Sequence, residues 1–424
     1  MSRQNPSLRS GEGQGWGQYL KCFSKGFIAL TGLLDFYDSN RRLLNMALGV
    51  LALVLVFAWL GPLVAEKPVS RLLQSTITGV LVGGVYALIA LGIVIINKAS
   101  GVFNFAHGMM MLFGAMVFYT FFSVANINPL AAFALVAFTS FVVLIMNGWS
   151  GLRNPRNLAI ALAASVGLTI LMILPGNGFQ LIRAITGGIV GSVLMGLIVE
   201  RVAIRPLIGQ PLFAAVLMTL AIDQILLGIT QMIWGSVEIP LQLFTGLKDL
   251  GIPSPMRIEA DWIGGRVIVR TELVVAFIMA LVAFGGFVAF FRYTNVGLAM
   301  RATAENQQLA QSVGLRVRLI LAVAWGIASL LAATAGVLQG GATSLSLNMR
   351  FLALQAFPAV LLGGLESIEG ALIGGIIIGL VQEWGNLLLP NAQIGTELAP
   401  YVVLMIVLVI RPDGLFGEKR IERI

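Results

Sequence analysis

The sequence predicts an all-α fold: a polytopic transmembrane helical bundle of about 10–12 hydrophobic segments, some broken or re-entrant, with one small periplasmic hairpin. Three observations predict it. Of 424 residues, 58% are hydrophobic and 11% are charged, where a soluble domain carries about 25% charged residues. The mean hydropathy is +0.93, which leaves too little polar surface to cover an aqueous fold. The apolar residues also fall in long uncharged runs, and a run of about 20 crosses the hydrocarbon core of a bilayer.

The same counts exclude other classes. The formal charge is +8, but basic residues in a membrane protein hold its cytoplasmic loops in place, so the balance does not point to nucleic acid. Cys22 is the one cysteine and His107 the one histidine. No intrachain disulfide, Cys-based metal site or multi-His metal site can therefore form. No GxxxxGK[ST], HExxH, GxSxG or paired-carboxylate arrangement occurs. The chain is thus expected to be no enzyme, to bind no cofactor, and to leave any use of ATP to another polypeptide.

Residues 1–42 read as a cytoplasmic tail. Ser2–Gly17 is polar and Gly-rich, the composition of a disordered segment. Tyr19–Phe36 is apolar with Lys21 and Lys25, and suits the membrane surface; no cleavable signal is seen. The membrane domain is expected over 43–412. Its apolar pieces are Leu43–Ala65, Leu72–Ile96, Phe105–Ala125, Leu130–Met146, Asn157–Pro175, Ala184–Val199, Leu212–Gly235, Leu273–Phe291 and Leu319–Gly340, then Ala353–Gly364, Gly370–Gln382 and Leu398–Ile410. Placing the N-terminus inside puts Lys98, Arg153, Arg156, Arg201, Arg205 and the Arg-rich 292–318 loop on the cytoplasmic side. It does the same for the 413–424 tail, so both termini are expected in the cytoplasm.

In the outer loop 236–271, Met256–Trp262 and Arg266–Val269 flank Ile263-Gly264-Gly265, the pattern of a β-hairpin. It is either a bland cap or a contact for an external partner. The 49 glycines include Gly79-Val-Leu-Val-Gly83-Gly84 and Gly374-Gly375-Ile-Ile-Ile-Gly379. Such runs serve close helix approach or mark broken helices along a substrate path, for which Gly83 and Gly84 are candidates.

Asn104-Phe-Ala-His107-Gly108 joins two apolar runs. It lies either at the cytoplasmic mouth or deeper, as a break in a re-entrant segment. Asn104 and His107 must face protein or a watery path, because polar groups are costly against lipid. A packing histidine bonded to a carbonyl is the plainer alternative. Asp223 is the one carboxylate well inside a span, and either structural pairing or pathway lining accounts for it. In the 293–317 loop, Ala299–Ser312 is helix-compatible and Gly314 fits a helix C-cap. That is what a docking element needs and also what a membrane-surface loop looks like.

These residues form an ordered set. Gly84-Val-Tyr-Ala-Leu-Ile-Ala-Leu-Gly92 is followed by Phe103-Asn104-Phe-Ala-His107-Gly108 and Glu200-Arg201-Val-Ala-Ile-Arg205-Pro206-Leu207. Then come Thr294-Asn-Val-Gly297-Leu-Ala-Met-Arg301-Ala-Thr-Ala-Glu305-Asn, Gly314, and Phe357-Pro-Ala-Val-Leu-Leu-Gly363-Gly364 with Gly370-Ala-Leu-Ile-Gly374-Gly375. In order and spacing, over most of 75–412, the sequence resembles the LivH-like permeases of branched-chain amino acid ATP-binding-cassette importers. The resemblance implies a multi-pass subunit of a bacterial inner membrane. Its implied partners are a second, LivM-like permease, two cytoplasmic ATPases and a periplasmic substrate-binding protein. It also implies that Arg301, Glu305 and Gly314 couple to the ATPase, and that Asn104, His107 and Gly108 lie near the translocation path.

Residues 1–65 and a hairpin around 130–175 extend beyond the family pattern, and Glu366 and Glu369 stand where the family more often has Gly and Pro. Relatives that carry urea or short amides keep those substrates open. An ion-coupled secondary transporter acting alone is the alternative from a different class, but Asp223, His107 and Glu383 make a thin relay for it.

Overall fold

The computed structural model describes residues 60–417, with breaks at 125, 147–149, 208–209, 245–251, 254, 261–263 and 390, and isolated helical positions between 51 and 58. The chain divides into two units, Met1–Trp59 and Leu60–Ile424, and the second holds the helical bundle. The expectations for residues 1–42, most of Leu43–Ala65 and 418–424 lie outside the described residues.

Helix α1 (Val69–Ser100) is the centre of the bundle. Pro68 precedes it, and Gly101 ends it at φ 67°, donating its N–H to the Asn97 carbonyl at 2.7 Å. From Gly83 to Ile96 every residue is buried, as expected of a helix that is apolar on all sides. After a non-helical stretch come α2 (His107–Ser123), α3 (Pro129–Ile145) and α4 (Pro155–Met172). Asn128 and Asn154 cap α3 and α4 by accepting the N–H of Leu130 and Arg156. Next are α5 (Gln180–Ile198) and α6 (Leu212–Trp234).

Strands β1 (Met256–Ala260) and β2 (Gly265–Val269) lead into α7 (Thr271–Tyr293). Two short helices follow, α8 (Asn295–Glu305) and α9 (Gln307–Ser312). The chain ends with α10 (Val317–Ala342), α11 (Phe351–Gly363), α12 (Ile368–Leu388) and α13 (Ala392–Ile410). Among the described residues, seven helices are long and apolar enough to cross a membrane, and four shorter apolar helices accompany them. The protein is an all-α polytopic membrane protein, broken at 101–106 as the sequence suggested. The glycine runs at 79–84 and 374–379, by contrast, lie inside the continuous helices α1 and α12 and serve close packing, not a break.

Around α1 pack α12, α10, α7 and α11, while α2 sits against α10, α5 and α6. The α1–α12 crossing rests on small residues. Gly79 and Gly83 face Gly375 and Gly379, each pair four residues apart. A Cβ on Gly83 would lie 2.7 Å from the Ile376 Cα and 2.9 Å from the Gly375 carbonyl. The backbones therefore touch, as in small-residue membrane dimers. The α3–α4 hairpin packs on α5 at the edge and leaves Phe138, Leu158, Ile160 and Leu162 exposed. Such apolar outer faces suit contact with lipid.

The hairpin forms as its sequence predicts, with Met256 opposite Val269 and Ala260 opposite Gly265. Val267 and Val269 are buried against Leu81, Leu273 and Ala342, so the hairpin caps the ends of α1, α7 and α10. Glu259 and Arg266 pair across it at 2.7 Å on the exposed face.

Two elements differ from expectation. The Ala299–Ser312 stretch is two helices, because Asn306 leaves helical geometry at φ −156° and caps α9 through the Leu309 N–H. Helix α5 starts at Gln180, ahead of the apolar run, and buries Arg183. That guanidinium donates to the carbonyls of Leu174 and Gly176 at 2.8 and 3.1 Å. It satisfies the turn that follows α4, so this charge sits inside the fold.

Candidate functional site

The site begins where α1 stops. Helices rise 1.5 Å per residue, so Gly92 lies about 12 Å back from Ser100 along α1. His107, the first residue of α2, packs against Gly92: a Cβ there would lie 2.5 Å from the ring Cε1 and 2.7 Å from Nε2. The chain after Ser100 therefore folds back along α1, and α2 starts inside the bundle.

Asn104 and His107 are fully buried. The Asn104 carbonyl oxygen of the side chain accepts the Ala106 N–H at 3.1 Å, shaping the turn. Its amide points to the Met110 sulfur at 3.3 Å. Neither ring nitrogen of His107 has a hydrogen-bond partner among the described residues. No carbonyl satisfies it, and a buried polar group left this way costs about 1–3 kcal/mol.

Helix α6 clasps the break from one side. The Thr219 hydroxyl accepts the Phe105 N–H at 3.3 Å, donates to Val216 at 2.8 Å and lies 3.4 Å from the Phe103 carbonyl. One turn on, on the same face, Asp223 meets Arg350 at 3.5 Å, both side chains partly open to solvent. Arg350 ends the short 3₁₀ turn before α11, and its guanidinium stands 4.7 Å from the centre of the Phe351 ring. The same residue's carbonyl abuts Gly108, where any Cβ would collide with it. Phe357 of α11 stacks on Phe103 at 4.4 Å and on Phe105 at 5.4 Å.

Four sequence candidates, Asn104, His107, Gly108 and Asp223, thus belong to one cluster. Thr219, Phe357 and Arg350 complete it; Phe357 opens one of the motifs quoted above, whereas Thr219 and Arg350 were not singled out from sequence. The available signal for Arg350 was a lone cation between two apolar pieces, facing a lone intramembrane carboxylate. Gly83 and Gly84 lie elsewhere. Gly83 is at the α1–α12 crossing, and Gly84 lies under the Phe277 ring of α7.

The 293–317 segment forms a second group at the end of the bundle. Thr294 caps α8 by accepting the Gly297 N–H at 3.0 Å. Arg301 donates to the Arg292 carbonyl at 3.4–3.5 Å and stands 5.6 Å from the Phe291 ring centre. It therefore ties α8 to α7. Glu305 is exposed. Gly314 adopts φ 88° and closes α9: its N–H reaches Gln311 and the Leu315 N–H reaches Ala310, both at 3.0 Å. This paired geometry is the glycine C-cap that the sequence suggested.

Nearby on the primary sequence of α11–α12, the 364–367 turn is held to α1. Asn97 donates to the Leu365 carbonyl at 3.3 Å and Lys98 to the Glu366 carbonyl at 3.0 Å. The carboxylates of Glu366 and Glu369 are on exposed residues. At the other end of α1, a cavity of about 610 Å³ is lined by Arg71, Gln74, Ser75, Arg270, Glu383 and Asn386, among others. Its walls carry both signs of charge.

Residues 75–410 match the family described as branched-chain amino acid transport system, permease component. The high-affinity branched-chain amino acid transport system permease protein LivH of Escherichia coli is 26% identical over 362 residues, covering 83% of this chain and 97% of that protein. The corresponding permease protein BraD of Pseudomonas aeruginosa is 26% identical over 363 residues, covering 83% of this chain and 98% of that protein. No solved structure is a significant match.

Proposed function

The chain belongs to the permease family of branched-chain amino acid transport systems, and on that premise we propose that it forms half of the membrane pathway of an ATP-binding-cassette importer for branched-chain or related amino acids. The observation that carries the reading is the 101–106 break, folded back against α1 and enclosed by helices beside a partly exposed Asp223–Arg350 pair. Non-helical backbone at membrane depth is tolerated where it is enclosed by protein or lines a water-filled path. A pair that crosses between α6 and α11 can serve as a latch on that path. Its two charges neutralise each other when it is closed.

The proposed coupling runs through α8. Arg301 fixes α8 to α7, and α8 also packs on α10 and α1. On α10, the Ala328 carbonyl borders the Gly92–His107 contact. A push on α8 from an ATPase would travel along α10 to the break. In this reading the chain binds no cofactor and hydrolyses nothing; two cytoplasmic ATPase subunits use the ATP. A second, LivM-like permease supplies the other half of the path, and a periplasmic binding protein delivers substrate. The subunit resides in a bacterial inner membrane with both termini cytoplasmic. The cavity bearing Glu383, Arg71 and Arg270 suits the ammonium and carboxylate of a zwitterion arriving from outside.

The test is gentle purification from the native membrane, beside a variant with Arg301→Ala and Glu305→Ala. The expected result is recovery of two ATPase chains and a second permease, lost or weakened in the variant. If the chain came out alone and moved solute in vesicles without ATP, the importer reading would be wrong.

A further inference from the structure

The Glu200–Leu207 motif has no part in the cluster around His107, yet it adopts an unusual form. Helix α5 runs into a π-helical turn, Val199–Ile204, and then a 3₁₀ turn, Arg205–Leu207. Such turns are rare and concentrate at functional sites. Here the turn brings Arg201 and Arg205 to a cavity of about 490 Å³ that also receives Arg316 and Arg318. Gln311, Val317, Ile145, Met146 and Leu319 complete the lining, and no carboxylate is among them.

The charges in this cavity are unbalanced. Arg205 is taken up by the buried Glu200, through two hydrogen bonds of 3.0 Å. Arg201 donates to the Ile145 carbonyl at 3.3 Å, a neutral partner. Arg316 and Arg318 are exposed at the start of α10. Three guanidinium groups thus share one cavity with no acid in its wall. Their preferred ligand is a compact oxyanion that several forks can grip together.

The apolar wall indicates what the anion is attached to. Ile145 and Met146 end α3, and Phe138, Phe141 and Ile145 follow one another at spacings of three and four along that helix. Phe138 and Phe141 are exposed, so an apolar stripe leads along the α3 surface into the basic cavity. The cavity stands where α3, α5 and α10 reach the end of the bundle, the level of lipid headgroups.

We propose that this cavity is a phosphate-group site, filled by the headgroup of an anionic phospholipid whose acyl chains lie along the α3 stripe. Gln311 and Arg316 belong to the 293–317 segment, Gln311 on α9 itself, so the bound headgroup braces α9 against α5 and α10. The inference is independent of the transported substrate.

The experiment uses the full chain in its native complex, delipidated and returned to nanodiscs of phosphatidylcholine with or without phosphatidylglycerol. Lipid retained after washing is measured by mass spectrometry, with a parallel arm in inorganic phosphate and no anionic lipid. Phosphatidylglycerol should be retained severalfold over phosphatidylcholine. Arg316→Gln with Arg318→Gln should cut that preference by about fivefold for each charge removed. Arg316→Lys with Arg318→Lys should keep most of it and controls for folding. Protection against thermal unfolding by inorganic phosphate, with no lipid preference, would support the phosphate site and reject the lipid as its source. Equal retention of both lipids, with no effect of phosphate, overturns the proposal.

Discussion

Asp223 and Arg350 share one ion pair between α6 and the turn before α11, and each is the other's compensation in an apolar setting. Removing one partner leaves a charge uncompensated, whereas removing both need not. Asp223→Asn alone and Arg350→Gln alone should each lower the melting temperature in detergent. The double variant should be less impaired than the sum, by a coupling of about 1–2 kcal/mol for a half-open pair. Additive losses would show that the pair carries no mutual stabilisation. ATP-driven uptake in proteoliposomes should fall in all three variants if the pair is a latch. The Gly92–His107 contact is open to a similar cycle. Gly92→Ala places a methyl against the imidazole and should destabilise the fold, and His107→Ala in the same chain should restore part of the loss, read from the melting temperature. No restoration would mean that Gly92 is needed for its backbone and not for the ring.

At the scale of elements, the α1–α12 crossing makes the sharper demand. A leucine at Gly83 must displace the backbone of Ile376, so Gly83→Leu should cost about 3 kcal/mol or more, the upper range of overpacking. Gly167 on α4 has open space around its Cβ position, and Gly167→Leu should leave the yield of monodisperse protein unchanged in gel filtration. Similar yields for the two would contradict the tight crossing.

Hydropathy made the spans and the hairpin legible, because both depend on local patterns of apolar and turn residues. Gly314 was legible for the same reason, since a C-cap is set within a few residues. The fold-back after Ser100 was only half legible: Asn104 and His107 mark a break, but its depth depends on Gly92 and Ala328, far away in the chain. Arg350 and Thr219 were hidden because their meaning comes from a partner on another helix. Asn306 looked like one helical residue among others until its side chain capped the next turn.

For the whole molecule, the scarcity of cysteine makes topology measurable. Cys22 is the single thiol, so Cys22→Ser gives a silent background for one new cysteine at a time. The hairpin bearing Arg266 and the turn bearing Glu366 cap opposite ends of α1. An impermeant maleimide applied outside right-side-out vesicles should label Arg266→Cys at once and Glu366→Cys only after permeabilisation. The reverse pattern would invert the proposed orientation and with it the side on which α8 and α9 meet an ATPase. Equal labelling of both would show that the hairpin and the turn do not face opposite compartments.

The segment after α13 has a practical bearing on such measurements. Leu415 and Phe416 donate their N–H groups to the carbonyls of Leu362 and Gly363 at 2.8 and 3.1 Å, and Gly414 and Gly417 nest against Gly364. Helix α11 thereby has its final carbonyls satisfied by the far end of the chain. A tag or fluorophore grafted directly after Gly417 would be anchored beside the Glu366–Glu369 turn, not hung on a loose tether. Gly417 is a ready-made vantage point, from which a dye can watch that turn while the pathway opens and closes.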